Sequence, residues 1–358
     1  MKKHILFVSA PVLLMLFMQT TTAGNKDRAG QAGALELNIN PWSCSSGWAG
    51  ANTACVHGLE AMYGNIAGTA FTKKTELVFS RANWLVGSDI FINSFGFTQK
   101  AGESGAIGLG IMSMRFGDIN TTTTENPEGG IGKFSPQFLN VNLSYAKGFS
   151  DHIFGGINVK AITEQISNLS AKGVALDAGI QYISGSNNQL KFGIALRNIG
   201  PKLTYKGDGL SIRTPLPNGF ASSNGIAVEQ KSASFELPSL VNIGASYDFY
   251  FTPDSAAIKN HRLTVAGNFT SNSFGKDEFR LGAEYGWKSL LMLRAGYNFE
   301  PGMFVAETKT TAYIGPCAGF SVQSPFKKGG LSTFALDYSY RFSNPFQGTH
   351  TIGVRVSL

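Results

Sequence analysis

Three kinds of residue in this chain could do chemistry, and their spacing limits what each could do. Cys44 and Cys55 lie close together and precede the patterned part of the chain, whereas Cys317 lies far downstream among apolar neighbours. In an exported chain a nearby pair reads as a disulfide rather than a redox site, and Cys317 reads as a packed thiol. His57, His152, His261 and His350 show no ligand spacing with the cysteines, so no metal centre is expected. A hydrolase would need a serine within reach of a histidine that a third group orients. His152 and His261 fall at predicted strand ends, His57 precedes the strands, and His350 opens the last one without a serine partner. No glycine loop suited to phosphate occurs either. Neither catalysis nor a cofactor is expected.

Charges at alternate positions remain: Lys160, Asp177, Arg197, Asp248, Glu284, Arg294, Asp337 and Arg355. Each has the parity of its segment's polar face, so all point inward from the sheet these segments form. If the final hairpin turns near Ser343 to Gly348, Asp337 stands opposite Arg355 and the two form a lumenal ion pair. Such charges could line a polar route or belong to a solvated or plugged interior.

The elements that position them are written in two-residue alternation from Thr75 to Leu358. Leu139, Val141, Leu143 and Tyr145 share one face, and Asn140, Asn142, Ser144 and Ala146 the other. A face suited to lipid behind a face suited to water is what a closed membrane barrel requires. Alternation and turn signals predict an all-β fold, a 14-stranded antiparallel transmembrane outer-membrane β-barrel, from Glu76–Leu85 to Thr349–Leu358. If the first strand rises from the periplasm, the short connections fall inside, and the two longest, Gly117–Gln137 and Gly200–Pro238, fall outside, as in bacterial barrels. Rings such as Tyr145, Tyr182, Trp287, Tyr297 and Phe342 gather at strand ends, where a headgroup boundary suits them.

Composition agrees. The chain has 43 Gly and 27 Phe among 358 residues, with 15% charged. Its formal charge of +7 is spread out, with no basic cluster interleaved with aromatics, so no nucleic-acid partner is expected.

Residues 1–23 read as an export signal: Lys2 and Lys3, an apolar run from Ile5 to Met18, then Thr21-Thr22-Ala23. The run is shorter than the about 20 residues a spanning helix needs. Residues 24–74 have no strand period and are rich in small side chains, which suits a hatch inside the barrel 75–358; the rival is a disordered leader. Trp48, Tyr63, Asn65, Ala67 and Gly68 are the residues expected to build the hatch, stiffened by a Cys44–Cys55 disulfide. In the longest loop, Leu203, Tyr205, Leu210, Ile212, Leu216, Phe220 and Phe235 form either a contact surface for protein partners or a flap that buries them over the barrel mouth.

The stretch from Gly47 to Ala70 resembles the N-terminal signature of the PorV/PorQ family, a branch of the FadL-like barrels, in which a small-residue run leads to aromatic-Asn-Pro-Ala-Gly. Here Tyr63-Gly64-Asn65-Ile66-Ala67-Gly68 inserts Gly64 and carries Ile66 where proline is usual. Phe79-Ser80-Arg81-Ala82-Asn83-Trp84, Gly105-Ala106-Ile107-Gly108-Leu109, Asn126 to Phe134, Leu143 to Lys147 and Arg197 to Lys202 are similar to further family positions. The resemblance implies a non-enzymatic adaptor or shuttle of type IX secretion in a Bacteroidetes-type outer membrane, docking translocon, cargo or surface attachment partners through its outer loops. The alternatives are a FadL-like channel with a hydrophobic ligand in its lumen, or an accessory subunit of another outer-membrane assembly complex. Outer-membrane lipid is a partner on each reading.

Overall fold

The computed structural model describes residues 24–214, 225–251, 260–326 and 332–358. Residues 1–23, the expected signal, lie outside the described residues, as do Leu216 and Phe220. Fourteen antiparallel strands close into one barrel. They are β1 (Thr75–Trp84), β2 (Ile90–Ala101), β3 (Gly105–Arg115), β4 (Gln137–Gly148), β5 (Ile153–Ile166), β6 (Leu169–Ser184) and β7 (Leu190–Ile199). The second half comprises β8 (Leu240–Tyr250), β9 (His261–Asn272), β10 (Glu278–Trp287), β11 (Leu291–Phe299), β12 (Tyr313–Pro325), β13 (Thr333–Ser343) and β14 (Thr349–Ser357). β1 closes on β14, from Glu76↔Ser357 to Asn83↔His350, so no sheet edge is left to lipid.

Burial is inverted relative to a soluble sheet, which shows which face meets lipid. On β4, Leu143 and Tyr145 are exposed, while Asn140, Asn142, Ser144 and Ala146 are buried. The same holds on β7, where Phe192, Ile194 and Leu196 face outward and Lys191 and Arg197 inward. The apolar exterior is therefore a solvent match to hydrocarbon. Leu143 is 61% exposed near the middle of its strand. Leu143→Arg is expected to cost about 2–4 kcal/mol in the equilibrium of refolding into lipid vesicles; an unchanged midpoint would contradict a lipid-facing Leu143.

The two longest connections share one end. Residues 102–104, 149–152, 185–189 and 288–290 turn at one end, and 116–136 and 200–239 span the other. By the asymmetry of bacterial barrels the second end is the outer one. Tyr145, Tyr182, Tyr247, Tyr285 and Trp287 are exposed near the inner end, and Tyr297, Phe299 and Phe342 near the outer.

Strand edges fall within four residues of those that alternation predicts, the largest difference being at β12, which starts at Tyr313 rather than Lys309. In that strand Tyr313 pairs with Ser343 but Cys317 pairs with Arg341, so β12 carries extra residues at a bulge. Gly315 takes φ 106° there, a conformation that a side chain would strain. Beyond the bulge β12 parts from β11, whose last pair is Tyr297↔Pro316.

Residues 24–74 run down the barrel interior from the outer end. Asn25 N–H donates to the carbonyl of Asn272 at the outer end of β9 (3.3 Å), and Gly33 N–H to that of Glu236 in the long outer connection (3.0 Å). A helical turn, Ser43–Ser46, and two 3-10 turns, Gly58–Tyr63 and Ile66–Phe71, follow before β1 begins at the inner end. Small residues keep these turns thin enough to pack against inward side chains. Near the β1–β14 seam this segment bonds both strands: Ser80 Oγ of β1 donates to the Pro41 carbonyl (2.8 Å), and Ser43 Oγ donates to the Thr351 carbonyl of β14 (3.1 Å).

Candidate functional site

Asn65 is the joint between the inner segment and the wall. Its Nδ2 donates to the carbonyls of Thr53 (3.1 Å) and Ile180 of β6 (2.9 Å), while its Oδ1 accepts from Ala67 N–H (3.2 Å) and caps the turn. Tyr63, Asn65, Ala67 and Trp48 are all buried. Asn142 Nδ2 of β4 donates to the Tyr63 hydroxyl (2.9 Å). Gln181 of β6 donates to the carbonyls of Thr53 (3.2 Å) and Val56 (3.1 Å). Inward amides of the wall thus satisfy backbone carbonyls of a segment too irregular to satisfy itself.

The inward charges are paired. Lys160 meets Asp177 at 2.8 Å, Lys191 meets Asp248 at 2.8 Å, and Arg294 meets Glu284 at 2.6 Å. Arg197 donates to the Leu37 carbonyl at 2.9 Å. Buried charges tolerate desolvation only with such partners. The expected facing of Asp337 and Arg355 is corrected: Asp337 stands opposite Gly353, and Arg355 opposite Ala335. The ion pair nevertheless forms at 3.3 Å, because a long guanidinium reaches a diagonal neighbour.

The expected Cys44–Cys55 disulfide is also corrected, since both are free thiols, as is Cys317. Ala49 and Gly50, at φ 58° and 73°, reverse the chain between them. Cys44 Sγ then lies 3.8 Å from Asp337 on β13, whereas Cys55 interacts with Ser246 on β8, across the lumen. Burial raises the Cys44 thiol well above its ordinary range and that of Cys55 to about 11, so both stay protonated. Cys317 donates to the Gly47 carbonyl at 3.3 Å.

The described histidines contact a ring, a backbone carbonyl and tyrosine hydroxyls. His57 lies against the Phe71 ring, with ring centres 4.2 Å apart. His152 contacts the Ile183 carbonyl, His261 the Tyr285 hydroxyl and His350 the Tyr338 hydroxyl. Cys44, Glu60 and Asp337 bring potential ligand atoms within 4.8 Å of one another. Arg294 and Arg355 act on the same cluster, so its negative charge is already balanced and a cation would meet two guanidinium groups.

An apolar space of about 610 Å³ opens at the outer mouth. Residues 30–36 and Ile39 form one side, Trp84, Met114, Phe116 and Phe138 from the tops of the first strands another, and Tyr205 and Phe235 from the long loop a third. The loop closes this side because Leu203–Thr204 pairs with Ser234–Phe235. Leu203 packs with Ala34, Leu37, Ile162 and Leu237. Leu203, Tyr205 and Phe235 therefore face inward, which corrects their place on a contact surface and fits the alternative of a flap over the barrel mouth; Leu210 is half-buried and Ile212 alone of the described set is exposed. At the floor Glu36 and Glu164 approach each other, and the Tyr205 hydroxyl donates to Glu164. Burial, and secondarily the Glu164 carboxylate, raise the Glu36 pKa to about 7. Two smaller spaces of about 170 and 190 Å³ lie deeper beside the inner segment, and one of about 490 Å³ opens at the inner end near Lys73 and Arg355. Sequence reading missed the mouth pocket, although its aromatic strand tips and loop rings were visible singly.

A described monoaromatic hydrocarbon channel, CymD, superposes with a TM-score of 0.51 at 12% identity, over 88% of this chain and 95% of that one. The fold is similar to that of this channel, a closed antiparallel barrel. A FadL homologue of Pseudomonas aeruginosa gives a TM-score of 0.50 at 13% identity, over 88% and 96% of the two chains. No protein-family model and no curated protein matches the chain. At such identities the likeness is one of architecture, and the residues of each pocket are the chain's own.

Proposed function

We propose that this chain is a non-enzymatic outer-membrane channel for hydrophobic small molecules, captured at the outer mouth and passed inward past the segment 24–74. The observation that carries this reading is the mouth pocket, an apolar space of about 610 Å³ walled by aromatic side chains. That size suits small-molecule sites, which run from about 300 to 1,000 Å³. Its FadL-like neighbours, one of them described as a monoaromatic hydrocarbon channel, support the same class. Below the pocket, Trp42, Leu59, Met62 and Tyr63 pack against Val78, Ile92 and Met112, so passage requires the inner segment to shift.

Uptake of a radiolabelled aromatic hydrocarbon by cells carrying the protein tests this. Uptake above that of vector-only cells is expected, with a loss on the order of tenfold for the double variant Trp84→Ala, Phe138→Ala, as two ring contacts are removed. Uptake at the vector level would overturn the reading.

One observation favours the second reading, a secretion adaptor of the PorV/PorQ kind. Ile212, Ile226 and Val228 share one face of the outer hairpin Ser211–Thr214 and Ile226–Glu229, and are 45%, 42% and 39% exposed. A small exposed apolar group on an outer loop suits a protein contact. Gentle extraction, affinity purification and mass spectrometry distinguish the two: co-purifying translocon or surface attachment proteins would support docking, and recovery without them would count against it.

A further inference from the structure

The mouth pocket has a polarity that its apolar walls do not require. Among its described lining residues there is no Lys, Arg or His, whereas two carboxyl groups, Glu36 and Glu164, sit at the floor. Glu36 is 4% exposed; its Oε1 receives only a long bond from Asn140 Nδ2 (3.5 Å), and its Oε2 has no hydrogen-bond donor. The second carboxyl is oriented by the Tyr205 hydroxyl. Other charged groups acting here are behind the floor: Lys160 is held by Asp177, and Arg197 by the Leu37 carbonyl. A buried carboxyl oxygen without a donor is costly. In the empty pocket a proton shared between the two carboxyls relieves that cost, in keeping with the raised pKa of Glu36. A ligand ammonium group would relieve it better, by supplying both charge and donors.

We propose that the mouth pocket selects hydrophobic molecules bearing a protonated amine, whose apolar body lies among Trp84, Phe116, Phe138 and Phe235 and whose ammonium group bridges Glu36 and Glu164. The rings favour the same choice, because aromatic faces attract cations. A carboxylate of equal size would bring further negative charge to a floor lined by two carboxyl groups and no cation, and is rejected. This inference rests on the small-molecule reading of the pocket and adds its selectivity.

The test uses three ligands of one skeleton, 4-phenylbutylamine, 4-phenylbutanol and 4-phenylbutyrate, titrated calorimetrically into the full chain in nanodiscs of zwitterionic lipid, with empty discs subtracted. At pH 7 the amine is expected to bind at least about tenfold more tightly than the alcohol, and the acid more weakly than either. Glu36→Gln and Glu164→Gln, made separately, are expected to remove most of the amine's advantage, read as the ratio of amine to alcohol affinity in each variant. Alcohol binding that stays measurable in a variant shows that its pocket still forms. Alcohol binding with no preference for the amine, or a preference that survives both variants, would overturn the selectivity and leave the channel reading standing. If none of the three binds, the small-molecule reading itself fails, and this inference with it.

Discussion

Replacing Gly68 with valine is expected to unseat the inner segment while leaving the barrel closed. A Cβ at this position would lie 2.0 Å from the Val56 carbonyl oxygen and 2.9 Å from the Ala61 Cβ. The nearest atom is backbone, so the clash cannot be relieved by turning a side chain. Overpacking of this kind costs about 1–3 kcal/mol or more. Moving the turn Ile66–Phe71 would also break the Asn65 bonds to Thr53 and Ile180, leaving buried groups unpaired at about 1–3 kcal/mol each. The wall's own ladder of strands is untouched by the change. Limited proteolysis in lipid should therefore cut the variant within residues 24–74, and planar-bilayer recordings should show a steady current that the parent lacks. The heat-dependent gel shift of a folded barrel should persist. Parental protease resistance together with parental conductance would show that Gly68 is not a point of close approach.

The second large effect is expected at Asp177. It receives the ammonium group of Lys160 at 2.8 Å, Asn158 Nδ2 at 3.0 Å and Asn198 N–H at 2.8 Å, and Lys160 is fully buried. Asp177→Ala takes away the lysine's counter-charge and leaves it only the Asn198 side-chain oxygen at 2.6 Å as a hydrogen-bond acceptor, a loss of about 3–5 kcal/mol. Replacing both, as Lys160→Met with Asp177→Leu, should restore much of it, since apolar pairs of similar volume often match a buried ion pair. Denaturant unfolding of the two single variants and the double variant in one lipid forms a cycle whose coupling term measures the pair. A loss below about 1 kcal/mol in Asp177→Ala would mean that water reaches Lys160.

The wall was legible in the sequence because each strand repeats one local rule many times over. Alternation at Leu139 to Ala146 shows a lipid face whatever the neighbouring strands are, and the turns at 149–152 and 185–189 carry their own polar signals. Features that depend on which strands meet were less legible. Asp337 and Arg355 are offset by two residues from the expected pairing, because the final connection fixes the offset and its geometry is not written in alternation. The cysteines were misread because closeness in sequence is not closeness in space: a reversal at Ala49 and Gly50 sends the two thiols to different walls. Glu36 and Glu164 had no local signal at all. They meet only once the inner segment is inside and β5 stands behind it, with the long loop folded down over both.

The bonds that Pro41 and Ser43 make to the first and last strands bear on how the molecule is assembled. The seam between those strands is where a linear polypeptide becomes a ring, and the front of the chain is tacked to each side of it. Seating the front of the chain therefore adds bonds on both sides of the seam and stabilises the closed ring. A chain cut short before residue 44 should zip its final seam more slowly, even though every ribbon of the wall is intact.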